Sequence, residues 1–115
     1  MSERSAEKHE DFVRLPEADR IPPGGSRAYT VGRHEVALFN IAGEFYALEN
    51  SCPHQGAPIV DGWLEGSLVT CPWHAWCFDV RTGAMTLGEF ATIDRYAVRR
   101  GTDGAVFVSR EPIRS

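Results

Sequence analysis

With 115 residues, 43% of them apolar and 24% charged, the chain has the length and balance of one ordinary globular domain. Its longest apolar runs are four residues, as in Val36 to Phe39, which excludes a membrane-spanning helix of about 20. Net charge is −4, and residues 34–94 carry eight acids against one base, Arg81. That argues against a nucleic-acid surface, where lysine and arginine must cluster.

Residues 1–10 are polar and charged, a composition expected of a flexible tail. They lack the apolar core of a secretory signal, so the chain is expected in the cytoplasm, where thiols stay reduced. In that setting Cys52, Cys71 and Cys77 point to metal or reactivity before disulfides. Phe12 to Leu15 reads as a short strand that stops at Pro16, and a single helical turn is expected around Pro16-Glu17-Ala18-Asp19. Ile21-Pro22-Pro23-Gly24-Gly25-Ser26 is a loop, since proline removes ladder donors and glycine permits turns.

Arg27 to Val31 and Glu35 to Ile41 follow as strands, the second placing Val36, Leu38 and Asn40 opposite Ala37, Phe39 and Ile41. Ala42-Gly43 makes a hairpin into Phe45 to Leu48. Further strands are expected at Ser67 to Thr70, Trp76 to Val80, Ile93 to Arg99 and Ala105 to Ser109. Many short strands with regular Gly and Pro punctuation predict an all-β antiparallel sandwich or barrel. No helix longer than two turns is expected.

The chemistry-bearing residues are Cys52-Pro53-His54-Gln55-Gly56 and Cys71-Pro72-Trp73-His74. Each set follows a predicted strand, so both sit at loop tips that can meet around one metal centre. Pro53 and Pro72 push the preceding cysteines toward extended backbone and limit the entropy the loops lose on binding. Two Cys and two His suit a tetrahedral structural zinc. They equally suit a cluster in which two His replace two Cys on one iron. Spacing alone leaves both open.

The paired motifs resemble those of Rieske proteins, and the stretch from Phe12 to Ser109 resembles the soluble Rieske ferredoxins of bacterial oxygenase systems. Pro22-Pro23-Gly24-Gly25, Val36-Ala37-Leu38-Phe39, Glu44-Phe45-Tyr46-Ala47-Leu48 and Phe78-Asp79-Val80-Arg81-Thr82-Gly83 share in the likeness. The resemblance implies a Rieske fold over residues 11–111. Its parts are a sandwich or barrel base of strands from both chain ends and a cluster-binding subdomain of two loops near residues 45–84. It implies one [2Fe–2S] cluster, with Cys52 and Cys71 on one iron and His54 and His74 on the other. It further implies a monomeric one-electron carrier, itself no enzyme, that shuttles from a reductase to a terminal oxygenase, as in a ring-hydroxylating dioxygenase system. The acidic middle of the chain then steers a basic partner or is a plain solvated face. A small subunit of a nitrite reductase resembles the same domain and is the second reading. A zinc-stabilised interaction module is the third.

Membrane-bound quinol-oxidising relatives carry an extra cysteine in each ligand loop; Ala57 and Trp73 stand there in this chain. Those relatives also place Ser and Tyr hydroxyls near the cluster, where this chain has Trp76 and Phe78. Fewer hydrogen bonds to sulfur destabilise the reduced form. The expected midpoint is therefore on the order of −150 mV, the low end of the Rieske range; a clearly positive value in a redox titration contradicts this. Two departures from the family pattern are Ala75, where Gly is usual, and the proline-free segment from Met85 to Phe90. Among the other residues, Cys77 reads as a small structural residue in a strand. Gly56 is expected to permit close backbone approach, Trp63 to lie in the core, and His9 and His34 to sit at the surface. Trp73 and Trp76 suit either core packing or screening of the cluster from water.

Overall fold

The computed structural model describes residues 12–51, 56–72, 76–86 and 92–113. Ten strands run in chain order: β1 (Phe12–Leu15), β2 (Ser26–Val31), β3 (His34–Ile41), β4 (Glu44–Glu49), β5 (Trp63–Glu65), β6 (Leu68–Thr70), β7 (Cys77–Asp79), β8 (Arg95–Tyr96), β9 (Val98–Arg100) and β10 (Val106–Ser109). The described residues also form two single-turn 3-10 helices, Ala18–Arg20 and Ile59–Asp61. Among the described residues no helix is long and apolar enough to cross a membrane.

The strands form three antiparallel sheets, ordered β1-β10-β9, β2-β3-β4-β8 and β5-β6-β7. The first joins the two chain ends, as expected, with Phe12 opposite Ser109 and Leu15 opposite Val106. The four-stranded sheet lies in the middle and separates two cores. Period-2 alternation sends Val36 and Leu38 of β3 into one core with Leu15, Phe45, Val106 and Val108. The intervening Ala37 and Phe39 enter the other, with Leu48, Ile59, Val69 and Phe78. Five consecutive β3 residues are therefore buried, and the opposition of faces expected for this strand is observed.

Asn40, also buried, anchors the Pro/Gly loop to the end of β3. Its Nδ2 donates to the Ile21 carbonyl at 2.7 Å and its Oδ1 accepts from the Gly43 N–H at 2.8 Å. Its backbone bonds Gly24 and Gly25. A buried amide survives only when satisfied in this way.

Two expectations are corrected here. Residues 93–99 do not make one strand: the chain turns at Ala97, leaving β8 on the middle sheet and β9 on the terminal one. Ala97 is tied at this corner by its N–H to Ser109 Oγ at 3.0 Å and by its carbonyl to the Ser109 N–H. The second correction is Trp63. It is not in the core but 67% exposed, because β5 alternates outward, inward, outward and the partly buried Leu64 takes the inward position.

Candidate metal centre

Two loops carry the candidate ligands, and their bases are described even though Cys52, Pro53, His54, Gln55, Trp73, His74 and Ala75 lie outside the described residues. The first loop leaves the end of β4. There the Asn50 N–H bonds the Glu35 carbonyl, the Glu49 N–H bonds the Asp94 carbonyl and the Ser51 N–H bonds the Glu49 carbonyl, each at 2.8 Å. The loop is closed from the far side by Asn50 Oδ1, which accepts the Val60 N–H at 2.9 Å. Asn50 is buried, so this clasp is shielded from competing water. Gly56, where the loop rejoins described chain, has φ 79°. That left-handed backbone favours glycine, and among the described residues a Cβ there would meet Ser51 Oγ at 3.6 Å.

The second loop is the connection from β6 to β7. It is pinched shut by the Cys71 N–H donating to the Trp76 carbonyl at 2.7 Å. Cys71 is fully buried and packs in the second core, which also holds Ala57 and Ile59 from just beyond the first loop. Residues at the base of each loop thus share one apolar patch, which sets the Cys71 thiol close to both. A soft thiolate, with imidazoles supplied by neighbouring loop residues, is the donor set that zinc or an iron–sulfur cluster takes. The described part of the site fits either group.

Cys77 occupies a different place. On the three-stranded sheet, Leu64, Val69 and Phe78 point into the core. The register then puts Trp63, Thr70 and Cys77 in one row on the outer face, with Glu65, Leu68 and Asp79 in the next. Cys77 Sγ shares a hydrogen bond with Thr70 Oγ1 at 3.2 Å. It is a partly buried strand residue directed away from the core that holds Cys71. Trp76 packs against that core and lies 6.5 Å from the Phe78 ring, centroid to centroid.

Beyond the outer-face rows, Arg81 turns back on Asp79, with Nε and Nη2 bonding the two carboxylate oxygens at 3.1 and 3.0 Å. These bonds hold the Asp79 carboxyl below its ordinary 3.8. A carboxyl depressed on folding stabilises the fold above its unfolded pKa and loses that contribution as pH falls through the folded value. The stability gap between the native protein and Asp79→Asn is therefore expected to be full at neutral pH and to close below about pH 3.8. Urea titrations stepped down through that range check it, and a gap that widens in acid contradicts it.

The sequence missed one polar cluster. His34 is not a plain surface residue: Nε2 lies 3.2 Å from Glu111 Oε1 and Nδ1 3.7 Å from Glu49 Oε1. Its ring meets Tyr96 edge-on. The Tyr96 hydroxyl donates to Glu49, and burial followed by this bond pushes the phenol well above its usual range. These residues come from β3, β4, β8 and the C-terminal segment, so no local spacing announces them. They brace the end of β4 from which the first loop departs. His9 lies outside the described residues, as do residues 87–90 of the proline-free segment.

Comparison with known proteins supplies the remaining step. The chain is 46% identical over 77 residues to the ferredoxin component of a naphthalene 1,2-dioxygenase system from Pseudomonas aeruginosa, covering 67% of this chain and 71% of that one. Over 71 residues it is 44% identical to mouse and human proteins named Apoptosis-inducing factor 3, of which it spans only 11%. Among solved structures, the ferredoxin of carbazole 1,9a-dioxygenase from Nocardioides aromaticivorans IC177 superposes with a TM-score of 0.80 at 31% identity, over 87% of this chain and 98% of that one. A complex of oxygenase and ferredoxin in carbazole 1,9a-dioxygenase contains a chain that superposes at 0.83 with 27% identity, over 93% and 100%. The description "Rieske [2Fe-2S] domain" matches residues 11–106, nearly all of the described fold. The chain belongs to the Rieske [2Fe-2S] domain family, and its cofactor is that family's Rieske-type [2Fe–2S] cluster.

Proposed function

We propose that this protein is a one-electron carrier between a reductase and the terminal oxygenase of a ring-hydroxylating dioxygenase system, transforming no substrate itself. In this reading Cys52 and Cys71 bind one iron of the cluster and His54 and His74 the other. The observation that carries it is Cys71, sealed in the core at the point where both ligand loops depart. When bound, the cluster supplies a reversible one-electron couple. The chain's own part is to hold that couple rigidly: Asn50 and the Cys71–Trp76 bond fix the loop bases, and the surrounding apolar wall limits water. Neutral imidazoles in place of two thiolates lower the negative charge that reduction must build in a low-dielectric site.

The dioxygenase assignment is supported by relatives and structures that are named as ferredoxin components of such systems. It extends to a single Rieske domain over residues 11–111, with its cluster-binding part near 45–84, acting as a cytoplasmic monomer. The test is reconstitution with the reductase and oxygenase of a cognate system. Substrate oxidation driven by a reduced nicotinamide should require this protein, saturate with it, and weaken as salt rises, because transient redox partners are steered by charge. Equal turnover in its absence would overturn the assignment.

A further inference from the structure

Trp63 is the most exposed large apolar residue described, at 67%, with Leu68 next at 38%. Both lie on the outer face of the β5-β6-β7 sheet, diagonal to one another across the β5–β6 pair. A tryptophan in this position leaves much of its large ring in water, an arrangement more usual of an interface than of a free surface. Its cross-strand neighbour is Thr70, at a side-chain spacing of about 5 Å, and the residue after Thr70 is Cys71. The ring therefore stands beside the base of the second ligand loop. Asp61 and Glu65, two residues to either side of it in the chain, are exposed acids, while Asp79, across from Leu68, is already paired with Arg81.

We propose that this face, centred on Trp63, docks a redox partner that offers an apolar recess rimmed by lysine and arginine. The proposal rests on the carrier reading above. Charge selects this occupant over a second copy of the chain, since a two-fold contact through this face would bring together two surfaces carrying Asp61 and Glu65, acids unpaired among the described residues. A small apolar centre within a charged rim gives fast, salt-sensitive association with weak residence, which suits a shuttle that must let go. One electron then leaves the reduced protein and is taken up by the docked oxygenase, the reductase having supplied it in the preceding encounter.

The test measures second-order rate constants for reduction by the reductase and for oxidation by the oxygenase, as a function of ionic strength. Trp63→Ala should lower at least one of them about tenfold, an effect typical of losing a tryptophan anchor. Trp63→Phe should restore most of it. Glu65→Lys should slow association at low salt and flatten the salt dependence, an effect that fades as salt rises. The EPR spectrum and midpoint potential should be those of the native protein in all three. Unchanged rates with both partners overturn the proposal, as does a slow variant whose potential has shifted. A native dimer in sedimentation that Trp63→Ala dissociates would assign the face to self-association instead and also overturn it. If the native protein itself exchanges electrons with neither partner, the carrier reading fails and takes this proposal with it.

Discussion

Replacing Cys71 by alanine is expected to strip the protein of its cluster, leaving iron and sulfide at less than about a tenth of the native content. The same change at Cys77 is expected to leave both at the native level. The two thiols are six residues apart, yet they face opposite ways. Cys71 is buried with Ala57 and Ile59 where the loops converge; Cys77 sits on the outer row with Trp63 and hydrogen-bonds Thr70. A smaller residue at Cys71 cannot be compensated from outside, because the site is walled by the core. Metal and sulfide analysis of the two purified variants separates the cases. Full iron in Cys71→Ala, or none in Cys77→Ala, would mean that the ligand assignment is wrong. Loss of the cluster should also lower the stability of the whole fold, since a group bound only by the folded chain stabilises it by mass action.

Gly62→Ala is expected to cost roughly 3 kcal/mol or more, seen as a fall of roughly 10 °C or more in the melting temperature. The cause is not backbone conformation, since φ at Gly62 is −81°, which any residue adopts. A Cβ there would lie 2.0 Å from the Thr70 carbonyl oxygen and 3.2 Å from that of Ile59. Neither can yield: Thr70 is held in the sheet between β5 and β7, and the Ile59 carbonyl accepts the Gly62 N–H. The strand must shift, and the residue it carries next is Cys71. Gly66→Ala is the control, because Gly66 has φ 61° with open space around it, so it meets only the left-handed penalty of about 1–2 kcal/mol. Thermal and urea unfolding of both variants decides this, and a Gly62→Ala protein no less stable than Gly66→Ala would contradict the packing described here.

How much of this was legible in the sequence depended on whether a segment declared itself locally. β1 through β4 were readable to within a residue or so, because alternating apolar residues are bounded by Pro16, the Pro22–Gly25 loop and the Ala42-Gly43 hairpin. The division of β3 between two faces was readable too. The reason it mattered, a core on each side, is a tertiary fact that the pattern of one strand does not contain. β5 was missed because three residues are too few to show a period, and Trp63 was assigned to the core on hydrophobicity alone. Its neighbours Gly66 and Ser67, a two-residue turn before β6, were the signal that a strand precedes them. The corner at Ala97 was missed because its cause, Ser109, lies on another strand. The cluster of His34, Glu49, Tyr96 and Glu111 was invisible for the same reason. The four candidate ligands stand out as a set because their chemistry is written in two short motifs, but spacing alone left zinc and iron–sulfur undivided, and of the four only Cys71 falls among the described residues.

The same ambiguity fixes the most direct test of the account. Anaerobically purified protein should contain iron and acid-labile sulfide in the ratio of the [2Fe–2S] formula, and dithionite should produce a rhombic EPR signal of low average g. That result would establish the centre on which the carrier reading rests. Zinc in place of iron, with no sulfide and a silent spectrum, would mean that the ligand loops hold structure alone and that no electron passes through them.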